Sequence, residues 1–313
     1  MRMKKTLCLL LAMLFVLSGT ALALEPLPMD TVSAGPAPKD ECYISDTEYA
    51  DESISVKIYN GRYADTDYYY AHIKISHPSQ LRTAPAAVGI EKKPTFRSSA
   101  TRYGIEVARD TNAVFAINGD YYTQSECNVV LRMGTQVRNS WDDGIRDLLL
   151  IDYNGDFSYL TAPKRSEYAE YYKAHKDELY QVLCFGPVLV ENGVSVIPED
   201  YDNRHIGAQK FTQRCCLAQL GELEYMVVVC YSDQMKDNKG MTVYEFATLC
   251  EQLGKSLNEN GCRLAFNLDG GNSTTMVFKR LDEKSGKMAY VKVNCPEIKR
   301  TLSDIIYFAT LVK

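Results

Sequence analysis

The stretch Leu264-Ala265-Phe266-Asn267-Leu268-Asp269-Gly270-Gly271-Asn272-Ser273-Thr274-Thr275-Met276-Val277-Phe278 places a polar run between two apolar ones. Both flanks read as buried strand, so the polar residues interrupt hydrophobic chain instead of decorating a surface loop. One carboxylate, Asp269, stands at the end of the first strand beside two glycines and a set of short amide and hydroxyl side chains. Gly270 and Gly271 permit positive φ and let a ligand approach the backbone. A plain turn, with Asp269 and Asn272 bonding their own main chain, is the competing reading of these residues taken alone.

Upstream, Thr242 with Glu245 three residues later forms a capping box, and Val243, Phe246, Ala247, Cys250 and Leu253 make one apolar stripe. This predicts a helix that packs on a sheet and hands the chain through Asn260-Gly261 to the strand ending at Asp269. A second helix is predicted from Ser166 to Val182, a stretch rich in Glu, Lys, Ala and Tyr with no Gly or Pro. Elsewhere strand followed by turn recurs. Ile54–Ile58 alternates at period two, Tyr68–Ile75 follows a Gly-containing turn, and Ala113–Ile117 runs into Asn118-Gly119-Asp120-Tyr121-Tyr122. Asp147–Tyr153 ends at Asn154-Gly155, Val182–Phe185 at Gly186-Pro187, and Val188–Val190 at Glu191-Asn192-Gly193. Met226–Cys230 is continuously apolar, as a strand covered on both faces should be. The fold class expected is α+β: a mixed β-sheet core with helices packed on it, in a single domain.

The first residues are basic and lead into the apolar run Leu7–Leu17, with Ala21-Leu22-Ala23 as a cleavage site, so residues 1–23 read as a secretory signal peptide. Residues 24–50 contain Pro26, Pro28, Pro36 and Pro38 and read as a mobile linker, leaving 51–313 as the domain. The expected location is secreted or cell-envelope, with no stable membrane span after signal cleavage. The formal net charge of −5 becomes −8 once Arg2, Lys4 and Lys5 leave with the signal, which argues against nucleic acid as a partner. Ten cysteines occur with no Cys-x-x-Cys pair, so a structural zinc site is not expected.

Three polar strand ends are candidates to converge: Asn118-Gly119-Asp120, the segment around Arg214, and Asp269–Ser273. Two acids with an arginine suit cleavage of a glycosidic bond, one carboxyl protonating the leaving oxygen while another group supports the cationic sugar carbon. An arginine's planar fork suits a phosphate, although a structural ion pair explains a lone arginine equally well. Tyr121, beside Asp120, is placed to stack on a sugar. No Gly-x-Ser-x-Gly, His-Glu-x-x-His, phosphate loop or Gly-x-Gly-x-x-Gly occurs. Asn267-x-Asp269-x-x-Asn272 lacks the glutamate an EF-hand needs, so the sequence requires no cofactor. A divalent cation such as calcium, held by Asp269 and carbonyls in another geometry, is left open.

Ala116–Tyr122, Phe185–Gly193, Gln213-Arg214, Asn267–Thr275 and the closing Asn294 to Arg300 together resemble the phosphodiester glycosidase family. The likeness spans roughly residue 54 to the C-terminus. It implies hydrolysis of a sugar-1-phosphodiester, N-acetylglucosamine-1-phosphodiester-like, to free sugar and a phosphomonoester, the substrate being a phosphorylated glycan or a glycosyl phosphodiester. Bacterial members are often tied to exopolysaccharide or cell-wall metabolism. By motif position Asp269, Asp120 and Asn118 are the implied catalytic residues. The implied substrate-binding set is Arg214, Gly270, Gly271, Asn272, Ser273, Thr274, Tyr121 and Gly186, with Asn294 and Arg300 as outer members. Two alternatives stand beside this reading: a cell-wall glycan-binding protein without turnover, and a metal-dependent phosphodiesterase.

Overall fold

The computed structural model describes residues 24–120, 129–140, 144–233 and 237–313. The expected signal peptide and Tyr121 lie outside these residues. Among the described residues the chain is β-dominated, with three α-helices: α1 (Gly104–Asp110), α2 (Arg165–His175) and α3 (Val243–Leu257). Every strand pairing among the described residues is antiparallel, so the sheets are not of the mixed kind expected.

The largest sheet has nine strands. The paired hairpin Ile54–Tyr63 and Thr66–Ile75 joins, through Glu224–Cys230 and Cys215–Gly221, to the strand Leu264–Leu268 that carries the Asp269 loop. Glu224–Cys230 is buried from its second residue to its last, as its unbroken apolar run requires. A five-stranded sheet sets Phe115–Asn118 between Met276–Asp282 and Asp304–Phe308. A second five-stranded sheet runs in the order Phe157–Leu160, Asp147–Asp152, Leu179–Phe185, Val129–Arg132 and Thr135–Asn139.

Helix α3 is capped as its sequence requires: Thr242 Oγ1 accepts from the Glu245 amide at 3.2 Å, and the Glu245 carboxylate accepts from the Thr242 amide at 2.9 Å. Val243, Phe246, Ala247, Leu249, Cys250 and Leu253 are buried. They cover the strands Val188–Glu191 and Val194–Ser195. The expected Ser166–Val182 helix stops at His175, because Leu179–Phe185 is entirely buried and pairs with Asp147–Asp152. Burial between two neighbouring strands outweighs local helix propensity there. Two corrections apply to residues 24–50. The segment is bound to the domain instead of hanging from it, and strands Tyr43–Ser45 and Glu48–Ala50 extend the nine-stranded sheet, so the folded part begins before Asp51. Residues 28–33 are held by Arg82, fully buried and with no carboxylate partner among the described residues, whose guanidinium donates to the carbonyls of Pro28 (2.8 Å) and Thr31 (3.0 Å) and to the Ser33 hydroxyl (3.3 Å). A buried arginine must find acceptors, and this segment supplies them.

All eight described cysteines carry free thiols, and all but Cys42 are buried. Burial pushes the Cys184 and Cys230 thiols up to about 12, so both stay protonated in the physiological range. None of the described helices is long and apolar enough to cross a membrane.

Candidate active site

Five strand ends, drawn from all three large sheets, meet around Asp269. Leu264–Leu268 delivers Asp269 itself, and Phe115–Asn118 delivers Asn118, Gly119 and Asp120. Asp304 opens the strand Asp304–Phe308, Arg132 closes Val129–Arg132, and Arg146 immediately precedes Asp147–Asp152. A cleft with about 300 Å³ of atom-free space is lined by Asn118, Gly119, Asp269, Ser273, Asp304 and the segment 300–303.

Asp269 is the partly exposed acid of the group. Burial pushes its carboxyl up to about 7; the Ser273 hydroxyl and Gly270 amide oppose this, Asp120 adds to it, and Arg146 opposes it. Its carbonyl is pinned by Asn118, whose Nδ2 donates to Asp269 O at 2.9 Å while its Oδ1 accepts from the Thr275 amide at 3.0 Å. Asn118, expected as catalytic, lines the cleft and also clamps both ends of the loop.

Asp120 is likewise drawn inward. It has no exposed surface; Oδ1 accepts from Arg132 Nη2 at 2.8 Å and Oδ2 from the Cys184 amide at 2.7 Å. Arg132 Nη2 also reaches Asp304 Oδ2 at 3.3 Å, so one buried guanidinium holds two carboxylates. Asp304 lies against Gly119, where an added Cβ would come within 2.2 Å of its Oδ1. Burial raises the Asp304 carboxyl; Arg132 opposes this, while Asp120 and Asp269 add to it. The second acid lining the cleft is Asp304, in place of Asp120.

Arg214 does not line the cleft. Its guanidinium donates to the carbonyls of Met241 (3.1 Å), Ile206 (3.1 Å), Gly207 (2.7 Å), Ala208 (3.5 Å) and Lys210 (2.9 Å), which fixes the turn 206–210. The expected phosphate grip is thus spent on main chain. Burial lowers the pKa of this arginine to about 10, which leaves it charged at neutral pH. Two other arginines are better placed. Arg300 is exposed, lines the cleft, and takes no hydrogen bond or ion pair from the described residues. Arg146 stacks over the Phe185 ring at 4.9 Å, and its Nη1 is buried with no hydrogen-bond partner among the described residues.

The remaining expected residues divide by what they touch. Ser273 lines the cleft and Asn272 is exposed beside it. Thr274 is fully buried and gives its carbonyl to Asn294 Nδ2 at 2.9 Å, while Asn294 Oδ1 accepts from the Met276 amide at 2.7 Å. Asn294 thus braces the far side of the loop. Gly186 (φ 82°) is buried and held by Asn267, which donates from Nδ2 to its carbonyl at 2.7 Å. Gly271 (φ 57°) needs its glycine for conformation, whereas Gly270 needs it for space, since a Cβ would meet the Gln213 carbonyl at 2.6 Å. Arg132, Arg146 and Asp304 escaped sequence reading, although Val129–Arg132 and Asp304–Phe308 carry the signal that singled out Asp269: a charge at the end of an apolar run. For a divalent cation the donor set is poor, because Arg132 holds both Asp120 and Asp304. Among the described residues no three His, Cys, Asp or Glu side chains gather as a metal set.

These paired acids and arginines at converging strand ends lie within residues 111–309, the stretch matched by the model of the phosphodiester glycosidase family, and the chain belongs to that family. That family is one of phosphodiester glycosidases. Among solved structures the chain is similar to the catalytic domain of zebrafish N-acetylglucosamine-1-phosphodiester alpha-N-acetylglucosaminidase, auto-inhibited by its pro-peptide (TM-score 0.58, 14% identity, covering 92% of this chain and 99% of that one). It is also similar to a hypothetical protein from Synechocystis (TM-score 0.50, 15% identity, covering 82% of this chain and 62% of that one). This chain thus spans less than two-thirds of the Synechocystis protein's length. At these identities the likeness is one of fold. None of the curated proteins compared matches the sequence.

Proposed function

We propose that the protein is a secreted or cell-envelope glycosidase that hydrolyses a sugar-1-phosphodiester, of the N-acetylglucosamine-1-phosphodiester kind, on a phosphate-containing envelope glycan. The observation that carries this reading is one cleft holding two acids raised by burial, Asp269 and Asp304, with the uncommitted guanidinium of Arg300. In the reaction a water oxygen bonds to the anomeric carbon, the bond from that carbon to the phosphate oxygen breaks, and the electron pair leaves with the phosphomonoester. Asp269 moves the water's proton: a carboxyl titrating at about 7 exists in both forms near neutral pH and so can accept a proton and return it. Asp304 faces the sugar carbon as positive charge develops there. Arg300 takes over the phosphate grip expected of Arg214, and Arg146 adds positive charge near Asp269. Ser273 and Asn272 orient the sugar.

The test is a product assay on purified protein with the methyl ester of N-acetylglucosamine 1-phosphate in oxygen-18 water, with and without chelator. The reading expects label in the sugar and no loss of rate in chelator. Label in the phosphate together with chelator sensitivity would make the protein a metal-dependent phosphodiesterase. Saturable binding of the ester without product would make it a glycan-binding protein.

A further inference from the structure

A second cavity, with about 740 Å³ of atom-free space, is lined by Thr275, two residues after Ser273, and Arg300 lines both it and the acid cleft. Its walls are unlike those of the cleft. Tyr103, 41% exposed, stands with Ile105 and Ile298 as an apolar face, and Lys292 and Lys299 join Arg300 as a cationic rim. Lys299, like Arg300, takes no hydrogen bond or ion pair from the described residues. Lys292 donates to the Ile298 carbonyl at 3.0 Å. The acids nearby are engaged elsewhere: Glu106 accepts from the Tyr103 amide at 3.1 Å and lies 3.8 Å from Arg102, and Glu297 accepts from the Tyr231 hydroxyl. The floor is Gly104, whose missing side chain leaves room against Thr275, where a Cβ would approach Thr275 Cγ2 at 3.0 Å.

We propose that this cavity is the leaving-group subsite, taking the alcohol half of the phosphodiester when that half carries a flat ring, with the phosphate bridging the two cavities at Arg300. The inference rests on the glycosidase reading of the cleft and adds what lies beyond the phosphate. A single phosphate cannot occupy three cations and an aromatic face. A phosphate joined to a ring can, with the ring against Tyr103 and Ile298 and the anion on Arg300, Lys299 and Lys292. A methyl phosphate leaves the apolar face uncovered. A buried apolar ring contributes binding in proportion to the area it removes from water, and no step of the chemistry depends on it.

The experiment compares two substrates, the phenyl and the methyl esters of N-acetylglucosamine 1-phosphate, on the parent, Lys299→Glu and Ile298→Asp. The ratio of kcat/KM for phenyl over methyl should fall at least tenfold in Ile298→Asp, with the change in KM, whereas Lys299→Glu should raise KM at least tenfold for both esters because both carry the phosphate. An unchanged ratio in Ile298→Asp, or an unchanged KM in Lys299→Glu, overturns the subsite. If the parent cleaves neither ester, the glycosidase reading fails, and phenyl phosphate binding measured by calorimetry still decides the cavity. Binding weakened tenfold or more in both variants supports it, and equal binding overturns it. Both positions are solvent-facing or half-buried, and matching thermal midpoints establish that the variants are folded.

Discussion

Replacing Asp269 with Asn should abolish turnover while making the folded protein more stable at alkaline pH. The acid titrates near 3.8 as a free side chain and at about 7 in the fold, chiefly because burial disfavours its charge. Below about pH 3 the carboxyl is mostly neutral in both folded and unfolded states, so it has little effect on their balance. As pH rises through the window between these values the unfolded chain releases its proton first. The folded state then binds more protons than the unfolded one, and stability falls with pH until the folded carboxyl has also ionised above pH 7. At about 1.4 kcal/mol per unit, a shift of this size sets a ceiling near 4 kcal/mol. Asp269 as a whole is partly exposed, and an amide only partly replaces its bonds to Ser273 and Gly270, so the expected gain is about 2 kcal/mol. The assay is urea denaturation of parent and variant at about pH 3 and pH 8. The midpoints should coincide at the acid pH, and the variant's should lie ~1 M higher at pH 8 for an ordinary urea slope. Equal midpoints at both pH values would show that the site does not penalise charge on Asp269. Parental turnover in the variant would remove Asp269 from the chemistry altogether.

The two arginines should separate cleanly. Arg300→Met is expected to raise KM tenfold or more, about 1.4 kcal/mol of substrate binding, with no fall in thermal midpoint. Arg214→Met should instead cost about 3 kcal/mol of folding stability, because several main-chain carbonyls lose a charged donor together. A large KM effect from Arg214 without destabilisation would restore it to the substrate. Arg82→Met should release residues 28–33 from the domain, read as new protease cleavage within 24–38 of the folded protein. Unchanged protection would mean that other contacts hold this segment.

The strand pairs at Ile54–Tyr63 and Thr66–Ile75, the doubly covered Glu224–Cys230 and the capped helix α3 were legible because each is specified by residues adjacent in sequence. Period, cap and turn are local, and so is the contrast between apolar chain and the polar run at Asp269. The sequence by itself therefore determined the β-rich character, the capped helix and the loop that carries Asp269. Where local preference and tertiary contact disagreed, contact prevailed: Leu179–Phe185 abandons helix for a buried strand, and residues 28–33 dock on the donors of the buried Arg82. Only the tertiary structure decided the roles of the charged groups. Asp120 and Arg214 have the residue types the chemistry calls for, but their hydrogen bonds are consumed by Arg132, Cys184 and the carbonyls of 206–210. Asp304, 35 positions after Asp269, shares its cleft. Whether a side chain has a donor or acceptor left for a ligand depends on every group packed around it, and those groups come from strands far apart in the chain.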